Sequence, residues 1–499
     1  MPNDAKKHPK IYPKESALKT LADIAGKKIT VMGLGLNGGG EASARFFLRH
    51  GAFVTVTDTK TQDELMQSVL SLQNDTRIDA SRLRFVLGRH DKEDFLNADI
   101  VIKNPIVKYE ANEFLHCAKA VETDLSVFLR FTKARIIAVT GSKGKSTTAS
   151  AIHYGLTQSG FKSFLGGNIT VSPLTFLEET DSESIVVLEL SSWQLRDLRG
   201  RGALKPAIAV LTKIVSDHQN WYGNMDDYVA DKKLIYADQR KDDWTIIADD
   251  SGYAAGFAAE TPAQAFCIHA LTATQTSEYI GELAVRGAHN RTNVLTAAVC
   301  VNLLGVAKEQ CRGIFASWHG IPHRLEYFFT AKTRRGVHVD FYNDSASTVP
   351  DSTIASIDAF GSMNASCSGL RLIAGGTDKE LDFTELAAKL RKNPPFALYL
   401  LAGSGTDKLI DKLCDTRIDK LNDKLNDTHK TEKIEKKIYK GPYTGLIFLL
   451  NDIKLDLEQS DESYPVVFSP GATSFGMFKN EFDRGNTFKE GVLSIYGND

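Results

Sequence analysis

Three times along the chain an apolar, β-branched run ends in a glycine turn and opens into a helix-forming stretch, which predicts an α/β protein of three doubly wound units. The runs are ITVMGLGLNGGG near the N-terminus, RIIAVTGSKGKST in the middle, and a set beyond residue 320 that includes LRLIAGG, FALYLLAG and YPVVFSPG. A length of 499 residues agrees, because a single hydrophobic core stops growing at about 250–300 residues.

The first unit, 1–121, reads as strand, glycine turn, amphipathic helix and second strand VTVTD, followed by the buried strand ADIVIKNP; it is Rossmann-like. The pattern turns helical at ETDLSVFLRF. The second unit, 122–320, carries ARIIAVT, SIVVLEL and AIAVLT alternating with helical stretches, the pattern of a parallel sheet of the P-loop ATPase type. The third, 321–499, has GVHVDFYNDS and the three runs above, and is a further Rossmann-like domain. Residues 406–440 break the rhythm: they are charge-rich, repeat DKL and space Leu and Ile as a helix would, so they read as an exposed amphipathic helix or insertion.

Composition narrows the function classes. Hydrophobic content of 42% and charged content of 24% are those of an ordinary globular protein, and a net charge of −2 offers no field for nucleic acid or an anionic membrane. The six cysteines form no CxxC pair, which fits neither a zinc site nor a disulfide framework and points to a reducing cytoplasm. No apolar run is long enough for a signal peptide or a membrane span.

The most specific motif is Gly141-Ser142-Lys143-Gly144-Lys145-Ser146-Thr147, directly after a strand and opening a helix. Backbone N–H groups of such a loop surround phosphate oxygens, the lysine reaches the β/γ-phosphates, and the Ser146 hydroxyl can ligate Mg²⁺. Val139 stands where the common GxxxxGK[ST] form has its first glycine. The earlier turn Gly33-Leu34-Gly35-Leu36-Asn37-Gly38 matches GxGxxG, with Asp58 closing the second strand. Alone it reads first as a dinucleotide site, with a structural turn as the alternative. Glu189 ends IVVLEL at the edge where open sheets place ligands, and could hold Mg²⁺ beside the loop.

TGSKGKST, LELSSWQL, SDHQNWYGNMDDYVADK, GAHNRTNVLTAA, HGIPHRLEYF, NDSASTVPDST, AGGTDKELDF and SPGATSFGMFKNEFDRGNTFKEGV occur in one order. That series resembles the Mur ligases, and among them the D-glutamate-adding branch, over nearly the whole chain except 406–440. The resemblance implies an ATP-dependent amide ligase that joins D-glutamate to UDP-N-acetylmuramoyl-L-alanine through an acyl phosphate, in peptidoglycan synthesis. It implies a UDP-binding first domain, an ATP-binding second and an amino-acid-binding third, closing about Arg324, in a cytoplasmic monomer.

Residue by residue, the resemblance makes Lys145, Glu189, His218 and Lys232 the catalytic set, with Ser146, Glu189, His218 and Lys232 holding two Mg²⁺ ions. Lys232 matches a family lysine that is carbamylated into a carboxylate-like ligand; Lys233 is its rival. Asn168, Asn293, Arg324 and Asp344 match nucleotide contacts, Asp344 at the ribose or the hinge. Leu36, Asn37, Asp58, Thr59 and Lys60 correspond to the uridine and diphosphate site, and Ser191 and Gln194 to substrate contacts in LELSSWQL. Thr348, Lys379 and Ser474 match contacts to the D-glutamate carboxylates.

There are departures. His218-Gln219-Asn220-Trp221 replaces a sequence with Asp-Arg in many relatives, and Ala346 stands where many have a lysine near the γ-phosphate. Lys143, in place of a frequent asparagine, is the candidate to take over from that lysine. The competing readings are another Mur-type or folylpolyglutamate-type ligase, a dinucleotide-binding oxidoreductase with an idle phosphate loop, and an inactive binding homologue. The absent DNPR-like signature and the N-terminal unit count against the first, and the phosphate loop against the second.

Overall fold

The structure, a computed structural model, describes residues 14–35, 38–110, 112–169, 171–217, 219–364, 367–379, 381–414 and 439–497. Its strands form three sheets. The first contains β1 (Lys28–Met32), β2 (Phe53–Asp58), β3 (Leu83–Leu87), β4 (Ile100–Lys103) and β5 (Val121–Glu122), all parallel, in the order β3-β2-β1-β4-β5. The chain winds outward in opposite directions from β1 and β4, so the loops after these two neighbours part and leave a crevice at the carboxyl edge.

The second sheet contains β6 (Arg135–Thr140), β7 (Ser163–Gly167), β8 (Ile185–Glu189), β9 (Ile208–Leu211), β10 (Trp244–Ile247) and β11 (Gln264–Cys267), again all parallel, in the order β11-β10-β9-β6-β8-β7. Every residue of β8 and β9 is buried, as a parallel sheet covered on both faces requires. Each buried Val, Ile or Leu there contributes about 1.5–3 kcal/mol. The sheet is thereby a rigid base for the loops at its carboxyl edge.

The third sheet contains β12 (Glu326–Lys332), β13 (His338–Asn343), β14 (Ser362–Asn364), β15 (Cys367–Gly375), β16 (Pro395–Leu401), β17 (Tyr439–Tyr443) and β18 (Val466–Phe468), with β12-β13-β18-β15-β16-β17 as its path. Its interior is parallel, but β12 pairs antiparallel with β13 and β14 with β15. The antiparallel edge is an addition to the doubly wound pattern. Within 406–440, residues 406–414 complete the helix Ser404–Cys414, which buries Thr406 and Leu409; the DKL repeats beyond it lie outside the described residues.

The chain divides into two compact units, Met1–Gly281 with Thr292–Phe315, and Glu282–Arg291 with Ala316–Asp499. The first holds two sheets, and buried ion pairs join them. Lys103 at the end of β4 meets Asp197 at 2.7 Å with both side chains buried. Glu122 of β5 accepts from Arg201, Ser126 and Ser16. Burial would push the Glu122 carboxyl up, but Arg201 and the hydroxyl and amide donors hold it below its ordinary value. Removing one partner of such a pair costs about 3–5 kcal/mol, so these contacts fix the two sheets against each other. No helix among the described residues is long and apolar enough to cross a membrane.

Candidate active site

The phosphate loop follows β6 and is held by backbone contacts that a side chain would prevent. Gly141 has φ +149, and a Cβ there would lie 1.9 Å from Thr212 Oγ1; Gly144 has φ +92, and a Cβ would lie 2.6 Å from Asn293 Oδ1. Ser142 and Lys143 donate their N–H groups to the Lys213 carbonyl. The Ser142 hydroxyl bonds Val215 and the Tyr228 hydroxyl, the latter at 2.9 Å. The helix Lys145–Gln158 starts from Gly144 with no side-chain cap, which leaves its first N–H groups directed at an incoming anion. Lys145 Nζ donates to the Ser142 carbonyl at 3.0 Å.

Glu189 is buried at the end of β8. Its Oε1 accepts from Asn168 Nδ2 at 3.0 Å, and Asn168 N–H bonds the Glu189 carbonyl at 2.8 Å. Its Oε2 is buried without a hydrogen-bond partner. A buried carboxylate oxygen left bare costs free energy, whereas a divalent cation bound there would satisfy it.

Lys232 lies on the helix Met225–Lys233 and is buried, its Nζ donating to the Gly141 carbonyl at 2.7 Å and standing 4.5 Å over the Tyr228 ring. Burial, reinforced by the Lys145 charge, lowers its amine well below the ordinary lysine value. Among the described residues no three His, Cys, Asp or Glu side chains form a ready-made metal cluster. The expected ligand set instead mixes Ser146, Glu189, Lys232 and His218, and His218 lies outside the described residues.

The crevice at the carboxyl edge of the first sheet is lined by Gly33, Leu34 and Gly35 after β1, Asn104, Pro105 and Ile106 after β4, and Asn168, Ser191, Trp193 and Gln194 from the second sheet's loops. The Asp58 carboxylate accepts from the Gly35 and Lys60 N–H groups at 3.0 and 2.9 Å, tying the glycine turn to the end of β2. Thr59 and Lys60 are exposed beside it; Leu36 and Asn37 lie outside the described residues. Ser191 and Gln194 form the capping box of the helix Ser192–Asp197, so both also have a structural duty.

In the second unit, Thr348, Lys379 and Ser474 lie on loops that follow β13, β15 and β18, three neighbouring strands. Gly471 donates to the Ser347 carbonyl, and Thr377 and Thr473 exchange backbone bonds, which draws those loops together. Lys379 is exposed, with Nζ 5.9 Å from the centre of the Phe475 ring. Arg324 is exposed between two non-glycine residues at positive φ, His323 (66°) and Leu325 (45°). Such backbone is strained and persists only where neighbours impose it. Here they do: the buried Asp344 accepts from Leu325 N–H and from the Ser347, Ser356 and Ser469 hydroxyls.

The chain matches the Mur ligase middle domain over residues 139–297 and the MurD-like Mur ligase N-terminal domain over 27–125. It is 36% identical to the UDP-N-acetylmuramoylalanine–D-glutamate ligase of Treponema pallidum (strain Nichols) over 95% of this chain and 98% of the relative, and 37% identical to the same ligase of Borreliella afzelii (strain PKo) over 94% and 98%. The chain belongs to the Mur ligase family. Its fold is that of MurF from Acinetobacter baumannii, with a TM-score of 0.55 at 15% identity over 97% of this chain and 99% of that one.

For this Mur ligase, the structure gathers Lys145, Ser146, Glu189, Asn168, Lys232 and Asn293 around one phosphate loop. It places Ser191 and Gln194 in the lining of the neighbouring crevice and Asp58 against the glycine turn that lines it, and Arg324, Asp344, Thr348, Lys379 and Ser474 in the second unit. Asp344 is engaged by four internal donors and anchors the strained segment beside Arg324. Ala346 donates its N–H to the His323 carbonyl, a backbone role that any side chain permits.

Sequence reasoning passed over Tyr228, which braces Ser142, and Arg484. The buried Arg484 guanidinium donates to the Ser345 and Ala472 carbonyls and the Ser345 hydroxyl, pinning two site loops; burial lowers it to about 10. The signal for both was their place inside matched motifs, YVADK and FDRGN.

Proposed function

We propose that this Mur ligase adds D-glutamate to UDP-N-acetylmuramoyl-L-alanine, consuming ATP and releasing ADP and phosphate. The observation that carries the reading is Asn168, which lines the crevice of the glycine turn while its side chain binds Glu189 at the phosphate loop. One residue thus adjoins both the uridine-side cleft and the phosphoryl end, where an acceptor carboxylate must meet ATP.

The first sheet's turn, with Leu36, Asn37, Asp58, Thr59 and Lys60, takes the uridine diphosphate. The phosphate loop takes ATP, with Asn293 and Arg324 at the nucleotide. The substrate carboxylate attacks the γ-phosphorus, the bond to the β-phosphate oxygen breaks, and ADP leaves. The amine of D-glutamate, held by Thr348, Lys379 and Ser474, then attacks the acyl carbon, loses a proton and expels phosphate. Lys145, and Lys143 in place of the lysine missing at Ala346, meet the charge on the transferring group.

Two Mg²⁺ ions, when bound, neutralise phosphate charge. Ser146 and Glu189 fit one of them, since Glu189 Oε2 has no other partner. Lys232, once carbamylated, would hold the other together with His218: its buried amine is biased toward the neutral form, which is the form that adds carbon dioxide. The division of labour follows 1–121, 122–320 and 321–499, with closure about Arg324 excluding water from the acyl phosphate, in a cytoplasmic monomer. Glu189→Gln tests the metal assignment: the Mg²⁺ concentration for half-maximal phosphate release rises at least about tenfold if Glu189 is a ligand, and stays put if it is not.

A further inference from the structure

We propose that the loop after β4, residues 104–110, is a positioning relay that couples occupancy of the uridine-side cleft to the geometry of the magnesium ligands; this rests on the ligase reading above. The near end of the loop is cleft wall: Asn104, Pro105 and Ile106 line it. The far end is tied at two points to the second sheet's elements. Lys108 Nζ donates to the Trp221 carbonyl at 3.0 Å and stands 4.1 Å over the Trp221 ring. Glu110 pairs with Arg196.

Two arms run on from these ties. Trp221 belongs to the short helix Gln219–Tyr222, which follows His218 in the sequence. Arg196 lies 5.0 Å from the Trp221 ring and 3.8 Å from Asp231, the residue before Lys232. Asp231 is 1% exposed and Arg196 11%, so the attraction between them is little screened, while the hydrogen bond that holds Asp231 comes from Arg199. The Trp221 ring is thereby the platform on which Lys108 and Arg196 converge.

A substrate packed against Asn104–Ile106 fixes the loop, and the fixed loop holds Arg196 and Trp221. Part of the ordering that the metal ligands require is then already done, so substrate and metal bind cooperatively through the loop. By linkage the effect is reciprocal.

The test follows Mn²⁺ binding to the full chain by electron paramagnetic resonance, with a non-hydrolysable ATP analogue, in the presence and absence of UDP-N-acetylmuramoyl-L-alanine. In the wild type the UDP substrate tightens Mn²⁺ binding about tenfold; in Lys108→Ala and Glu110→Gln the gain falls below about twofold, while the substrate binds within about threefold of wild type. Melting curves establish that the variants are folded, and Glu110→Gln decides if Lys108→Ala is not. Undiminished coupling in a folded variant, or no coupling in a wild type that binds the substrate, overturns the relay and leaves the ligase reading standing. A wild type that binds no UDP substrate overturns both.

Discussion

Lys232 and Gly141 are joined by a buried hydrogen bond of 2.7 Å, from the lysine amine to the carbonyl that opens the phosphate loop. The bond sets a lysine 91 positions along the chain directly against the phosphoryl site. An amine so placed, with its charged form disfavoured by burial, suits conversion to an anionic ligand. Lys232→Arg keeps a cation that cannot deprotonate, and its phosphate release is expected to fall about 10²–10³-fold. The rival Lys233 is paired with Glu260 at its helix surface, and Lys233→Ala is expected to stay within about threefold of wild type. The opposite ranking in a phosphate-release assay excludes the assignment. Labelling with ¹³C-carbon dioxide gives a carbamate resonance in the wild type that is absent from Lys232→Arg.

Gly144→Ala places a Cβ 2.6 Å from Asn293 Oδ1 at a backbone φ of +92. Strain and displacement of Asn293 together are expected to lower stability by about 1–3 kcal/mol and to weaken ATP binding. Chemical denaturation and nucleotide titration measure both; an unchanged ATP affinity shows that the loop does not bind the nucleotide as described.

Arg324→Ala removes an exposed side chain, so stability is expected to change by less than about 0.5 kcal/mol. Activity is expected to fall about 10–100-fold through loss of a nucleotide contact. A variant as active as wild type denies Arg324 that contact, and a destabilised one makes it structural.

Asp344 titrates with a defined sign. Burial raises its carboxyl above the ordinary value of 3.8, although the Ser347, Ser356 and Ser469 hydroxyls oppose the rise. The folded state therefore holds this proton more tightly than the unfolded chain. The stability linked to it is full below 3.8 and is lost as pH rises through the elevated folded value. Asp344→Asn cannot titrate, so the fall in stability with rising pH is expected to be shallower than in wild type. Urea unfolding across that range checks it, and parallel profiles for the two proteins count against a raised Asp344.

The three sheets and the phosphate loop were legible because their signals are local. IIAVT followed by GSKGKST specifies strand, turn and helix within about one βα unit, and the glycines mark positions where backbone must approach backbone. Asp58 was also legible as the close of the second strand, though its bonds to the Gly35 and Lys60 N–H groups were not. What the sequence hid are contacts between distant residues. Glu122 reaches Arg201, Lys103 reaches Asp197, and Arg484 reaches Ser345 across 139 positions. No periodicity announces such pairs, because each partner alone looks like an ordinary polar surface residue. The antiparallel edge at β12 escaped for a related reason: EYFFTAK is partly buried from Glu326 to Thr330 and shows no clean alternation.

The central claim is tested most directly by phosphate release from the purified chain with ATP, Mg²⁺ and UDP-N-acetylmuramoyl-L-alanine, adding D-glutamate, L-glutamate or L-alanine in parallel. Release that depends on D-glutamate, and not on the other two, is the predicted result. Release with another amino acid in its place, or none with any of the three, contradicts it.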